Sequence, residues 1–582
     1  MLRPASAWLI LPATAFLALF FAFPSVRLLL LSFTSPALTL ANYQRLVASG
    51  VYAEVLINTV QISALVALIS VVLAYPVAFL LASLGDRMRN ILLVAVVVPF
   101  FTSVLVRSYA WMVLLGREGI VNKILMRLGV IETPLRLIYN TTGLLISMTH
   151  ILLPTAILLL LSVMRGIDTR LISVSASLGA GRLQTFLRVY LPLTLPGIGA
   201  AALLVFIFTL GNYVTPALLG GTRDMMLALV IAQQVNEVLN WPFAGALSTV
   251  LTGTTVALFL LFNRALNLDR MWGGTDRQGT AAPRIEWLAK WRSRVAQRIL
   301  AMIDAMLELG LAPFRGRALR TPFDLPMLLL WMVAGLILVF LVAPILLIVP
   351  ISLTSSLYLT FPPEGLSLRW YQALVDEPYW ATSTMLSVRV GVMAMLLSLL
   401  LGIPAALVLV RSRFAARNAV FAFIISPLIV PSITIAVAVY YFFAPLHLVG
   451  TQTGLVIAHT IGGIPLVTVL LSAALRGFDQ RLEAASISLG AGAIRTFAKV
   501  TFPLLRPAII AAAFFAFMHS FDEVVISTFV GGLSAETLPK KMWEGVELEI
   551  RPTLAALSTL LIGVTIIMLM AIELVQRRRA RT

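Results

Sequence analysis

The chain has no cysteine among its 582 residues, which excludes disulfides, thiolate metal sites and cysteine nucleophiles. Histidine is nearly as scarce. His150, His447, His459 and His519 are scattered, with no pair at the i, i+4 spacing that holds a metal on a helix, so no metal is expected. No Gly-x-x-x-x-Gly-Lys-Ser/Thr occurs, and the turns Gly179-Ala180-Gly181 and Gly490-Ala491-Gly492 lack the lysine of a phosphate loop. No Ser/His/Asp set or pair of catalytic acids supports a membrane-embedded enzyme. Charge is also short, at 12% of residues against 60% hydrophobic, and such a chain cannot hide its apolar surface in a water-soluble core.

What is present is a series of apolar runs of about 20 residues, each long enough to cross a bilayer as a helix. The fold class expected is an all-α polytopic membrane protein with about twelve transmembrane helices in two parallel six-helix repeats. The spans fall near 7–31, 53–82, 91–115, 141–164, 197–219 and 243–264, then 326–353, 383–410, 418–444, 453–475, 508–531 and 552–575. The first run, Trp8 to Leu31, is longer than the ~7–15 residues of a signal-peptide core and reads as a retained helix. With both termini cytoplasmic, roughly 30 of the 43 lysines and arginines fall on the inner side. The net charge of +18 is then a signature facing anionic membrane lipid, and nucleic acid need not be invoked.

The chain is duplicated. Residues 165–201 return at 476–512, at an offset of 311 and without a gap, with about 20 of 37 positions identical. Both copies are polar, lie between apolar runs and end in paired prolines, Pro192/Pro196 and Pro503/Pro507. Upstream, Pro76 matches Pro404 and Pro99 matches Pro427 at an offset of 328. The difference falls in the loop between third and fourth spans, which is long in the first half (Gly116–Asn140). The domains expected are a first half at 1–264, a cytoplasmic linker at 265–325 and a second half at 326–582. Within the linker, Leu288, Trp291, Val295, Ile299, Met302, Met306 and Leu309 recur at helical spacing opposite Lys290, Arg292, Arg294 and Arg298. That pattern predicts a basic amphipathic helix on the inner leaflet; a solvated linker is the alternative.

A polar cytoplasmic element carried once per half offers two equal docking surfaces to a two-fold partner. The repeats, SLGAGRLQTFLRVYLPLTLPGI and SLGAGAIRTFAKVTFPLLRPAI, resemble the EAA loops of type I ABC importer permeases. Residues 91–246 (VPFFTSVLVRSYAW, LGVIETPLRLIYN, WPFAGA) are similar to the first permease subunit of spermidine/putrescine importers. Residues 476–551 (SFDEVVISTFVGG, TLPKKMW) are similar to the second. The resemblance implies one chain equivalent to both subunits fused, in the bacterial inner membrane. It implies as partners two copies of a cytoplasmic ABC ATPase and a periplasmic solute-binding protein. This chain then needs no cofactor, ATP and Mg²⁺ being held by the ATPase subunits. Related fused permeases import ferric iron and thiamine, and close relatives handle aminoethylphosphonate, so the substrate stays open at this point. A gradient-driven transporter of the parallel-repeat kind is the second reading; it ordinarily shows intramembrane carboxylates at matching depths in both halves, and the first half has none.

The loop residues that this resemblance marks for ATPase coupling are Asp168, Ser173, Gly179 and Phe186, with Asp479, Glu483, Gly490 and Phe497 in the second copy. Leu178, Phe186 and Val189, with Leu489, Phe497 and Val500, form the apolar face expected to fill a groove. One departure stands out. The family glutamate lies six positions before the loop glycine, where this chain has Ser173 and Ala484; Glu483 sits one place early, about 100° around a helix.

For a substrate path the candidates are Asp522, Glu523, Asn212, Tyr213 and Arg107. Asp522 and Glu523 are read as part of the fifth helix of the second half, near the bilayer middle, where carboxylates are costly without a cation, a polar partner or water. The offset places Gly211 and Asn212 opposite them, so one wall is acidic and the other neutral. One of the two acids, Asp522 before Glu523, is expected to face the path and the other a neighbouring helix; an acidic wall opposite a neutral one favours a polyamine or similar amine over the other substrates named above. Arg107, deep in the third span, should face protein or a water-filled cavity, with Asp522 as a partner.

Overall fold

A computed structural model describes residues 8–34, 38–180, 182–266, 325–357, 361–363, 365–412, 414–548 and 551–579. The predicted linker helix lies outside the described residues. Inside a bilayer each backbone N–H and C=O must be satisfied within its own segment, which leaves apolar runs like these no alternative to helix. Ten helices among the described residues are long and apolar enough to cross a membrane, and two sharply bent helix pairs bring the number to twelve.

The first half opens with a span at Trp8–Thr34. It continues with α1 (Gly50–Ser83), α2 (Asp86–Phe101), α3 (Val104–Leu115), α4 (Ile120–Arg127) and α5 (Thr141–Arg165). A short surface helix, α6 (Arg170–Ser177), precedes α7 (Leu191–Leu210), α8 (Val214–Leu219) and α9 (Trp241–Leu266). The second half runs through α10 (Leu325–Ser352), α11 (Pro378–Arg411), α12 (Arg417–Ile425), α13 (Ser432–Phe443), α14 (Gln452–Arg476) and α15 (Arg481–Ser488). It ends with α16 (Phe502–Phe521), α17 (Val525–Val530), α18 (Leu538–Leu548) and α19 (Pro552–Arg579).

The two offsets read from the sequence are reproduced to the residue. Helices α1 and α11 each have 34 residues and start 328 apart; α5 and α14 each have 25 and start 311 apart. Their starts are capped alike: Asn140 Oδ1 accepts from the Gly143 N–H at 2.9 Å, and Thr451 Oγ1 from the Gly454 N–H at 3.0 Å. The length difference is the lobe around α4. Its buried Asn122 donates to the carbonyls of Gly116 (3.1 Å) and Leu135 (2.9 Å) and accepts from the Leu135 N–H (2.9 Å), folding the insertion back on itself. Lys123 Nζ reaches the Phe361 carbonyl of the second half at 3.3 Å.

The halves interlock. The span at Trp8–Thr34 packs on α13 of the second half as well as on α9, and α10 packs on α1 of the first half as well as on α19. Within the second half, α11 and α14 approach through small residues: a Cβ on Gly463 would lie 2.1 Å from Ser398 Oγ, and one on Gly402 2.6 Å from Val467 Cγ1.

Three features depart from the sequence reading. The third span of each half, expected straight, is bent by 96° after α2 and by 92° before α13. Thr102 and Ser103, and likewise Pro431, adopt extended backbone there, so the chain leaves the helix and restarts. The fifth spans begin earlier than 197 and 508. They run from a π-turn at Phe186–Tyr190 into α7, and from Phe497–Thr501 into α16. The paired prolines therefore do not close the loops. Pro192 and Pro503 fall just after these π-turns, inside a span that continues past them. Finally, each fifth span breaks after residue 210 or 521, so Asp522 and Glu523 stand at a helix break and not within a helix.

Candidate functional site

The repeated loops have one construction. Asp168 Oδ1 accepts from the Arg170 N–H and Asp479 Oδ1 from the Arg481 N–H, both at 2.9 Å, which starts α6 and α15. Hydroxyl pairs then clasp each loop, Ser175 to Thr185 at 3.0 Å and Ser486 to Thr496 at 3.1 Å. Gly179 and Gly490 end the short helices at φ +84°, a left-handed conformation that glycine adopts without cost, in open space. Leu178 and Leu489 beside them are 83% and 88% exposed, and Leu171, Val174, Leu482, Ile487 and Ile494 extend the apolar surface. Ser173 is exposed, as is Ala484.

Phe186, expected on the groove-filling face, is instead half-buried. Its ring meets Tyr75 at 6.2 Å, Phe79 at 5.6 Å and Tyr190 at 6.0 Å, because residue 186 already belongs to the fifth span. Phe497 is half-buried against Phe502 at 6.1 Å. Val189 and Val500 are half-buried too, so the exposed apolar surface comes from α6, α15, the leucines just before the glycines and Ile494.

The second constellation lies where the breaks meet. The break of the fifth span in one half touches the break of the third span in the other, twice. On one side Gly211 faces Pro431 so closely that a Cβ would come within 2.9 Å of the proline Cβ. On the equivalent side Asp522 takes the place of Gly211 and faces the start of α3. Its Oδ2 accepts from the Val104 N–H at 3.3 Å. A carboxylate there meets the positive end of α3. Arg107, one turn along α3, is 4% exposed; its Nη1 donates to the Ile151 carbonyl at 2.8 Å, and its charge interacts with that of Asp522.

The remaining candidates have local duties. Asn212 Oδ1 accepts from the Thr215 N–H at 3.2 Å and caps α8. Glu523 Oε1 accepts from the Ile526 N–H at 3.0 Å and caps α17 in the same way. Tyr213 is buried against Trp543 of the other half, with ring centroids 5.2 Å apart. Asp522 alone of these keeps a buried oxygen, Oδ1, with no hydrogen-bond partner.

A cup of about 340 Å³, not foreseen from the sequence, lies at the far end of α11 from the loops. Glu377, Tyr379, Trp380, Lys541 and Glu544 line it. Trp380 Nε1 donates to Glu377 Oε2 at 3.0 Å. Lys541 Nζ contacts Glu536 at 3.2 Å and Glu544 at 3.1 Å, and lies 5.3 Å from the Tyr379 ring centre. Burial opposes the charge on Lys541, but the two carboxylates outweigh it and raise the ammonium pKa. The pattern escaped notice because Glu377 and Glu544 are 167 positions apart and neither is repeated in the first half.

Up to twelve spans among the described residues, duplicated surface loops and broken helices that meet across the two halves are the architecture of a membrane transport protein. The sequence pattern of the binding-protein-dependent transport system inner membrane component matches it twice, over residues 70–267 and 398–581, and the chain belongs to that family of ABC importer permeases. It is 37% identical over 237 residues to the spermidine/putrescine transport system permease protein PotB of Escherichia coli (strain K12), covering 41% of this chain and 86% of that protein. PotB of Salmonella typhimurium (strain LT2) is 36% identical over 237 residues, covering 41% and 82%. The putrescine transport system permease protein PotI of E. coli (strain K12) is 35% identical over 232 residues, covering 38% and 82%. Among solved structures, a bacterial ABC transporter involved in the import of the acidic polysaccharide alginate matches 44% of this chain and 93% of its own, at 18% identity and a TM-score of 0.40.

Proposed function

We propose that this chain supplies both permease halves of an importer for a polyamine, such as spermidine or putrescine, or a related small amine. The observation that carries the substrate is the inequality of two otherwise equivalent contacts. Asp522, with a free buried oxygen, stands where the first half has Gly211. A linear ammonium passing such a gate is attracted by one wall and released by the other. The names of the PotB and PotI relatives support the same substrate class. The loops around Gly179 and Gly490 dock two copies of a cytoplasmic ATPase, which holds ATP and Mg²⁺, and a periplasmic binding protein delivers the solute. The chain sits in the bacterial inner membrane with both termini cytoplasmic, the basic linker on the inner leaflet. Closure of the ATPase pair draws the two loops together and turns the substrate path from its outward to its inward face.

The test is uptake of radiolabelled putrescine and spermidine by liposomes holding the chain, its ATPase and its binding protein. ATP-dependent uptake blocked by excess amine is the expected result. An authentic substrate that proves anionic, or uptake driven by an ion gradient without ATPase, overturns the reading.

A further inference from the structure

Glu483 stands at a junction of three elements. Its Oε1 accepts from Nη2 of Arg411, the last residue of α11, at 3.2 Å. The same oxygen accepts from Oγ1 of Thr501, in the π-turn leading into α16, at 2.8 Å. The Arg411 and Glu483 side chains keep only 6% and 22% exposure, and the guanidinium also lies 5.2 Å from the Phe478 ring centre. In a site so withdrawn from water, removing either partner strands the other charge at considerable cost.

The first half has nothing of the kind. The two offsets put Ser83, Ile172 and Tyr190 at the equivalent positions. Ile172 packs on the apolar core, and Tyr190 meets Phe79 edge-on with centroids 5.1 Å apart. One joint between loop and spans is ionic; its counterpart is apolar. The one-residue displacement of the glutamate explains the difference. At the place of exposed Ala484 a carboxylate points outward, whereas about 100° around the helix it turns toward α11.

We propose that Arg411, Glu483 and Thr501 form an intramolecular coupling joint that makes the second loop move as one body with α11 and α16. Glu483 is thus a positioning residue that acts through Arg411 within this chain, and not a contact for the ATPase. The two docking loops are mechanically unequal: the second is locked by charge, the first rests on aromatic and aliphatic packing. The inference rests on the reading of these loops as ATPase docking elements.

The test uses the full complex in liposomes, with solute transported per ATP hydrolysed and ATPase retained on purification as separate readouts. E483Q and R411Q should each lower transport per ATP about tenfold, with ATPase retention within about twofold of the parent. The swap R411E/E483R should restore coupling to within about threefold, and T501V, which removes one hydrogen bond and no charge, should lower it about threefold. T501V keeps the test decisive if a charge variant fails to insert. Loss of ATPase retention in E483Q with R411Q unaffected assigns the carboxylate to the ATPase and overturns the joint. Unchanged coupling in T501V and in whichever single charge variants insert overturns it as well. A parent chain that retains no ATPase defeats the loop reading itself, a failure visible before any variant is made.

Discussion

The Asp522 carboxylate accepts the backbone N–H of Val104 at 3.3 Å and so ties the broken fifth span of one half to the restart of the third span of the other. The pseudo-equivalent contact, Gly211 against Pro431, has no charge. Of the two equivalent contacts, only one carries a carboxylate.

D522N preserves the acceptor to Val104 and removes the charge. Amine uptake by proteoliposomes should fall about tenfold, equivalent to ~1.4 kcal/mol, while D522E retains part of it. Normal amine uptake by D522N would remove Asp522 from the path.

Glu523 and Asn212 are helix caps, so they answer to a different measurement. E523Q keeps a carbonyl acceptor and should transport normally. E523A and N212A each forfeit a cap, and the thermal midpoint of the purified protein should fall by an amount corresponding to ~1 kcal/mol. A collapse of amine uptake in E523Q at unchanged stability would return Glu523 to the substrate path.

G211A tests the uncharged contact. The added Cβ meets Pro431 at 2.9 Å, and overpacking of this sort costs about 1–3 kcal/mol. The expected outcome is a lower melting point, with transport per ATP reduced since the two halves no longer close fully. An unaltered melting point would show that the gap is slack.

Gly179 and Gly490 have open space around them, so a substitution there strains the backbone without a clash. A valine at φ +84° costs about 1–2 kcal/mol and is expected to reshape the loop while membrane insertion stands. ATPase retention and solute-stimulated hydrolysis should fall in G179V and further in G179V/G490V. Asparagine, which tolerates this conformation, should be milder at either site. Full coupling in the double valine variant would separate the loops from the ATPase.

Arg107 is buried among the halves and donates to the Ile151 carbonyl. R107M leaves the buried Ile151 carbonyl without its donor and removes the positive charge near Asp522, a loss of about 1–3 kcal/mol that should appear as poor yield. R107M/D522N should recover much of that yield, measured as monodisperse protein after solubilisation. Failure to recover would mean that the arginine serves the Ile151 carbonyl alone.

Periodicity, composition and repetition are local properties, and what they govern was legible in the sequence. Runs of apolar residues dictate helices because the bilayer offers the backbone no other partner. The two offsets determined that α1 matches α11 and α5 matches α14, and the excess loop located the lobe around Asn122. Gly179 and Gly490 announced the loop turns because few other residues accept their backbone. Tertiary structure alone decided where those helices break and what meets at the breaks. A run such as 91–115 is apolar enough to read as one span, so hydropathy does not register the 96° bend that presents the Val104 N–H to Asp522. The sequence marked one of the two adjacent acids for the path, Asp522 before Glu523; only the fold made Glu523 a cap and left Asp522 a buried oxygen without a hydrogen bond. The distance from Arg411 to Glu483 along the chain is 72 residues, and only the packing of α11 against the second loop makes them one joint.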